Sequence, residues 1–346
     1  MNKQLESDLN ELCLSCTLFS ELSESSVFVT GSTGLIGSIF IKALLTFNLK
    51  NNSNIKVYAL CRSESKFKSV FNGFEDKNLI PVYSNVISID SEVLDFNIDY
   101  IVHGAAITIS KEMVEHCVET LDVAYLGTKK ILELAKDKNA KSVVYLSSME
   151  VFGTPDSKLP VVTEKDLGYI DILNPRSSYS EGKRICETLC ACYSSEYRVP
   201  VKIVRLAQTL GAGIDYNDTR VTAMFARSVV EGKNIILKTK GNSKRQVIYT
   251  TDAISAILTV LLNGQNGQSY TACNYETFVS IKDTASLICE KIANGKIKLN
   301  FDIQEKNNFA PEVIMNLSSE KLEALGWKPT VGLEEAYRRL VKSFEK

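Results

Sequence analysis

A chain of 346 residues, 45% hydrophobic and 23% charged, has the composition of an ordinary soluble globular protein with room for two lobes, which excludes disordered and fibrous architectures. Its 40 Lys and Arg against 41 Asp and Glu leave a formal charge of −1, so no bulk field recruits nucleic acid or an anionic membrane surface. Only two histidines, His103 and His116, are present, too little material for a Ser-His-Asp hydrolase or a histidine-rich metal site, and no metal is expected.

The start of the chain, Met1-Asn2-Lys3-Gln4, is polar, and residues 1 to 22 read as a helical leader. No apolar run approaches the roughly 20 residues of a spanning helix, and the expected address is the cytoplasm. Cys13 and Cys16 sit at helical spacing among leucines and read as packing residues; an odd total of nine cysteines without a signal peptide argues for reduced thiols. From there strands and helices alternate. The strands are Ser26–Thr30, Lys56–Leu60, Ile80–Val82, Tyr100–Val102, Ser142–Leu146 and Val201–Val204, with helices at Leu35–Leu45, Leu126–Ala135 and Tyr179–Tyr193. Short β-branched strands joined by helices describe an α/β, Rossmann-type doubly wound parallel sheet. Beyond residue 205 the pattern loosens into glycine-containing turns. Residues 1–205, with a later return near 247–262, are therefore read as the dinucleotide-binding domain and 206–346 mainly as a smaller α/β substrate lobe.

Thr30-Gly31-Ser32-Thr33-Gly34-Leu35-Ile36-Gly37 follows the first strand and opens a helix. Glycine there allows the tight turn, the close approach of backbone to a pyrophosphate and the packing of helix on strand, while free N–H groups face the anion. The second strand ends in Cys61-Arg62-Ser63, with no acid until Glu64. A carboxylate at that point holds the ribose 2′-hydroxyl of NAD, whereas a cation accepts a 2′-phosphate, so NADP(H) is favoured over NAD(H), with Arg62 and Ser63 at the phosphate. Asn85-Val86, after the third strand, borders the expected adenine position.

Tyr179 and Lys183 lie four apart on one helical face, with Ser147-Ser148 at the end of the preceding strand. A neighbouring ammonium is expected to favour tyrosinate and bring the phenol into range for proton transfer, with Ser148 on the reacting oxygen. Arg205, Arg220, Lys244 and Arg245 are candidates for a substrate phosphate, since loops of a second lobe face the carboxyl ends of the strands. His103 is read as packing near the cofactor and not as a base.

These pieces resemble the extended short-chain dehydrogenase/reductases, the epimerase/dehydratase family that modifies nucleotide sugars. The matching segments are the glycine loop, Asp99 to Ala106, Tyr145 to Gly153, Tyr179 with Lys183, Ile203 to Leu206, Arg245 followed by Asp252, and Leu325 to Pro329. The resemblance implies Ser148, Tyr179 and Lys183 as the proton-handling set, Lys183 also on the nicotinamide ribose, Ala105 and Ala106 beside the cofactor, Arg245 on substrate phosphate, and a homodimer through the helices at Leu126–Ala135 and Tyr179–Tyr193. Family dehydratases carry an Asp-Glu pair where this chain has Met149-Glu150, and a thioether cannot protonate a leaving hydroxyl. Ala124 stands where the family often has asparagine. The stretch Asn174 to Arg184 and the retained Glu150 are similar to UDP-glucuronate decarboxylases.

Two functions follow. Arg62 favours an NADPH-dependent reductase of a phosphorylated or nucleotide-linked keto-sugar. The alternative is a redox-neutral nucleotide-sugar epimerase or decarboxylase with tightly held NAD, using Glu150 and the same triad. A non-catalytic scaffold keeping the nucleotide fold is disfavoured by the intact Tyr179 and Lys183.

Overall fold

The computed structural model describes residues 2–92, 94–303 and 312–345. The first part of the chain runs α1 (Lys3–Ser15), β1 (Ser26–Thr30), α2 (Leu35–Asn51), β2 (Lys56–Cys61), α3 (Glu64–Val70), β3 (Leu79–Tyr83), β4 (Tyr100–His103), α4 (Ser110–Glu115), α5 (Cys117–Asp137), β5 (Ser142–Ser148), α6 (Ser177–Tyr197) and β6 (Val201–Leu206). It continues through β7 (Gln208–Leu210), α7 (Val221–Val230), β8 (Ile235–Leu237), β9 (Lys244–Arg245), β10 (Val247–Tyr249), α8 (Thr250–Asn263) and β11 (Ser269–Ala272). The last elements are β12 (Val279–Ser280), α9 (Ile281–Leu287), β13 (Leu299–Phe301), β14 (Ile314–Met315), α10 (Glu320–Glu323) and α11 (Leu333–Phe344).

Seven parallel strands form one sheet in the order β11-β6-β5-β4-β1-β2-β3. All five residues of β1 are buried, as apolar β-branched strands covered on both faces must be. Strand order reverses between β1 and β4, so the turns after these two strands flank the crevice where doubly wound sheets bind ligands. Two apolar cores sandwich the sheet. One contains α1, α2 and α8; eleven of the fourteen α8 residues are buried there. The other holds α5 and α6, where Ile131, Cys186 and Cys190 pack on Phe28, Ile101 and Tyr145.

The return of the chain to the sheet runs further than 247–262, because Ser269–Ala272 pairs with Ile203–Leu206 as the seventh strand. A third core is built from α7, α9 and α11. Asp252 opens α8 and binds the C-terminal segment: its carboxylate accepts from the Thr330 and Val331 N–H groups, both at 3.0 Å, and from the Thr330 hydroxyl at 2.7 Å. Trp327, within the Leu325 to Pro329 segment, adds an indole N–H bond to the Asp252 carbonyl at 3.2 Å, so Asp252 and that segment meet at the start of α8.

The leader is part of the fold. Asp8 of α1 is fully buried and accepts from the Tyr249 hydroxyl at 2.6 Å, Gln4 at 2.8 Å and Arg339 of α11 at 3.1 Å, so α1 is tied to both β10 and α11. Cys13 lies in the same core and Cys16 caps α1, both with thiol pKa raised by burial, which is packing chemistry. No helix of the described residues is long and apolar enough to cross a membrane.

Candidate active site

The glycine loop is shaped by backbone contacts no side chain tolerates. Gly31 has φ +65°, and a Cβ there would stand 2.6 Å from the Gly104 carbonyl oxygen; a Cβ on Gly37 would stand 2.3 Å from that of Gly31. The β1 turn thus touches the β4 turn, and α2 packs on the loop through its first turn. Gly34 caps α2 without a side-chain bond, so no cap side chain takes the first N–H groups of the helix, those of Leu35 and Ile36 among them. Thr33 and Gly34 remain accessible at its mouth, whereas Ser32 is buried and donates to the Leu60 carbonyl at 2.6 Å, tying the loop to β2. This cradle fits a dinucleotide pyrophosphate.

Around it, Arg62 and Ser63 are exposed at the end of β2, where Ser63 caps α3. Asn85 follows β3 with its carboxamide turned onto the Ile87 N–H, and Val86 packs against Gly127. Ala105 and Ala106 line the β4 turn; the Ala105 N–H donates to the Thr30 hydroxyl at 3.1 Å. His103 is buried between the Thr30 hydroxyl at 2.7 Å and the Thr128 hydroxyl at 3.1 Å. Burial, aided by the Lys183 charge, holds its pKa down to about 3, so it is neutral and acts as a structural link.

Ser148 ends β5, Glu150 lies in the turn after it with its N–H donating to the Ser148 hydroxyl at 3.2 Å, and Tyr179 stands in the first turn of α6. Burial pushes the Tyr179 phenol up to about 12; a hydrogen bond with Ser148 and the Arg220 charge oppose this, while the Glu150 charge adds to it. That corrects the expectation of a phenol acidified by Lys183. The Lys183 ammonium donates to the Leu146 carbonyl at 2.6 Å and lies 5.8 Å from the centre of the Tyr179 ring, over the face of the ring. Burial lowers the pKa of Lys183 itself to about 8. At neutral pH the phenol is therefore neutral and the lysine mostly protonated.

Arg205 is also corrected as a substrate ligand. Only 4% exposed, its guanidinium binds the Glu187 carboxylate through Nε (3.0 Å) and Nη2 (2.6 Å), and donates to the Glu164 carbonyl through Nη1 (2.8 Å). Its planar fork is used inside the protein. The Arg220 side chain is 41% exposed, and its guanidinium is paired with Asp218 at 2.5 Å. Arg245 lies half-buried in β9 between Val279 and Met315, and the Lys244 ammonium covers the Phe278 ring at 4.3 Å. Ala124 packs opposite Gly182, and its carbonyl accepts from the Cys186 thiol at 3.1 Å, so this position serves the α5–α6 contact. Met149 is a core residue. Arg184, in the stretch after Lys183, staples α6 to the turn carrying Glu150 through the Val151 carbonyl at 2.8 Å and the Gly168 carbonyl at 2.7 Å.

Sequence reasoning missed Glu187 and Thr128. Glu187 was detectable by its position one further turn along the Tyr179–Lys183 face; Thr128 gave no such signal.

The sequence model of the NAD dependent epimerase/dehydratase family matches residues 27–274. Among curated proteins, UDP-glucuronic acid decarboxylase 1 of Xenopus tropicalis is 26% identical over 327 residues, covering 94% of this chain and 74% of that protein. UDP-glucuronic acid decarboxylase 6 of Arabidopsis thaliana is also 26% identical, with 93% and 89% covered. The UDP-glucuronic acid 4-epimerase of Bacillus cereus, solved with UDP-glucuronic acid and NAD, superimposes with a TM-score of 0.76 at 22% identity, over 92% of this chain and 98% of that one. UDP-glucose 4-epimerase of Thermotoga maritima gives 0.76 at 20% identity, with the same coverage. These likenesses show the fold. They lend no support to the expected preference for NADP(H), since the Bacillus structure holds NAD.

Proposed function

Because the chain belongs to the NAD-dependent epimerase/dehydratase family of extended short-chain dehydrogenase/reductases, we propose that it modifies a UDP-linked uronic acid without net redox change, decarboxylating UDP-glucuronic acid or a close analogue with bound NAD. The observation that carries this reading is the placement of Ser148 at the end of β5, Glu150 in the turn after it and Tyr179 with Lys183 on one face of α6: a hydroxyl, an acid–base residue and a proton-transfer phenol on adjoining segments. The decarboxylase relatives support it.

NAD, its pyrophosphate held by the Gly31–Gly37 loop, would supply reversible hydride storage for C4 of the sugar, with no net redox change. The chain does the rest. Tyr179 handles the proton of the 4-hydroxyl, and Ser148 holds that oxygen. Once C4 is a ketone, the carboxylate on C5 is β to it: the bond between them breaks, CO2 leaves, and the electron pair moves into an enolate whose oxygen Ser148 and Tyr179 stabilise. Arg220 orients the departing carboxylate, and Glu150 delivers the proton that C5 gains in exchange. Incubation with UDP-glucuronic acid and NAD is expected to yield a sugar nucleotide lighter by one CO2, read by mass spectrometry. A product of unchanged mass and altered configuration would place the chain among the epimerases instead.

A second reading, NADPH-dependent reduction of a keto-sugar, retains one observation in its favour. Arg62 is exposed at the end of β2, where Cys61 stands in place of a carboxylate.

The same proposal includes a homodimer. Val118 (69% exposed), Leu121 and Tyr125 form an apolar stripe along α5, beside Ile185 of α6, a face suited to a second copy. Light scattering is expected to give twice the chain mass; a monomer at micromolar concentration would count against it.

A further inference from the structure

Ser147, Arg205 and Thr271 stand side by side across β5, β6 and β11, one residue before the strand end that carries Ser148. The Ser147 hydroxyl donates to Glu187 Oε1 at 2.6 Å, and Arg205 grips both oxygens of the same carboxylate. Glu187 is four residues beyond Lys183 and eight beyond Tyr179, on one face of α6. On its other side Arg205 reaches the Glu164 carbonyl, the Glu164 carboxylate accepts from the Thr271 N–H at 2.8 Å, and the guanidinium lies 5.1 Å from the centre of the Phe152 ring, two residues past Glu150. One buried ion pair therefore touches the strand bearing Ser148, the turn bearing Glu150 and the helix bearing Tyr179 and Lys183.

We infer that the Glu187–Arg205 pair, with Ser147, is a positioning device that fixes these four groups in reacting register. A buried pair is a poor source of stability, because desolvation of both charges offsets their attraction, and apolar replacements of equal volume generally fold as well. What an apolar pair cannot supply is the forked, directional grip on Ser147, Glu187 and Glu164 at once. The pair also acts on Lys183 through space, since the Glu187 carboxylate favours its protonated form. A misplacement of the reacting groups by about 1 Å costs rate on the order of 10²-fold.

The substrate used in the test rests on the proposed decarboxylation, so a second readout is independent of it. Glu187→Gln leaves Arg205 buried without a counter-charge and is expected to unfold the protein in part. The decisive variant is the double replacement Glu187→Met with Arg205→Met, which removes both charges. It is expected to melt near the wild-type temperature, to turn over UDP-glucuronic acid at least about tenfold more slowly with KM changed by less than about threefold, and to titrate Lys183 at lower pH. The Lys183 titration is followed by carbon NMR of labelled lysine and assigned with Lys183→Met. A folded double variant with wild-type kcat and an unmoved Lys183 titration would overturn the inference. If the wild-type protein does not act on UDP-glucuronic acid, the proposed function fails, and the Lys183 titration alone decides the positioning role: a downward shift sustains it and an unmoved value refutes it.

Discussion

Tyr179→Phe is expected to lower kcat about 10²–10⁴-fold while leaving the melting temperature nearly unchanged. The ring keeps its packing; only the hydroxyl, with its contact to Ser148, is removed. The pH dependence should change with it. In the wild-type protein the phenol is held up to about 12 by burial, so the fraction able to accept a proton grows as pH rises. Lys183, lowered to about 8, loses its charge over the upper part of the same range. Activity should therefore climb with pH and then level or fall as Lys183 deprotonates, and the residual rate of Tyr179→Phe should lack the rising limb. An unaltered kcat in Tyr179→Phe, measured at saturating substrate, would remove the phenol from the chemistry.

Gly31→Ala is expected to abolish cofactor binding and to destabilise the fold by about 2 kcal/mol or more, read by calorimetry and by titration with NAD. Left-handed backbone alone costs a residue with a Cβ about 1–2 kcal/mol. The new methyl would in addition stand 2.6 Å from the Gly104 oxygen, and that neighbour is backbone, which cannot swing aside. Separating the β1 and β4 turns to relieve the clash would open the crevice at its narrowest point. A Gly31→Ala protein that binds NAD as the wild type does would show that the loop is a structural turn and not a cofactor cradle.

The parts of this molecule legible in the sequence are those set by local chemistry. The glycine spacing after β1 names a backbone geometry that few other residues permit, and the four-residue interval from Tyr179 to Lys183 places both on one helical face whatever surrounds them. Strand β11 was not legible: Ser-Tyr-Thr-Ala has no apolar run, and it becomes a sheet strand only by pairing with β6, more than 60 residues earlier. Arg205 was misread for a related reason. An arginine at the end of a buried strand looks available for phosphate until its partner is known, and Glu187, Glu164 and the Phe152 ring reach it from separate segments. The acidity expected of Tyr179 failed because spacing fixes which face a lysine shares, not where its ammonium points. Here that charge is spent on the Leu146 carbonyl, and burial governs the phenol.

In the proposed cycle the chain's acid–base groups act on a nucleotide-linked uronic acid and the hydride is returned. Its most direct measurement follows sugar product and reduced-nicotinamide absorbance together, with UDP-glucuronic acid in large excess over enzyme and NAD only in trace amount. Many decarboxylated molecules per enzyme are expected, with the absorbance flat after the first turnover. Conversion that stops when the NAD is exhausted, with reduced nicotinamide accumulating in step with product, would contradict it.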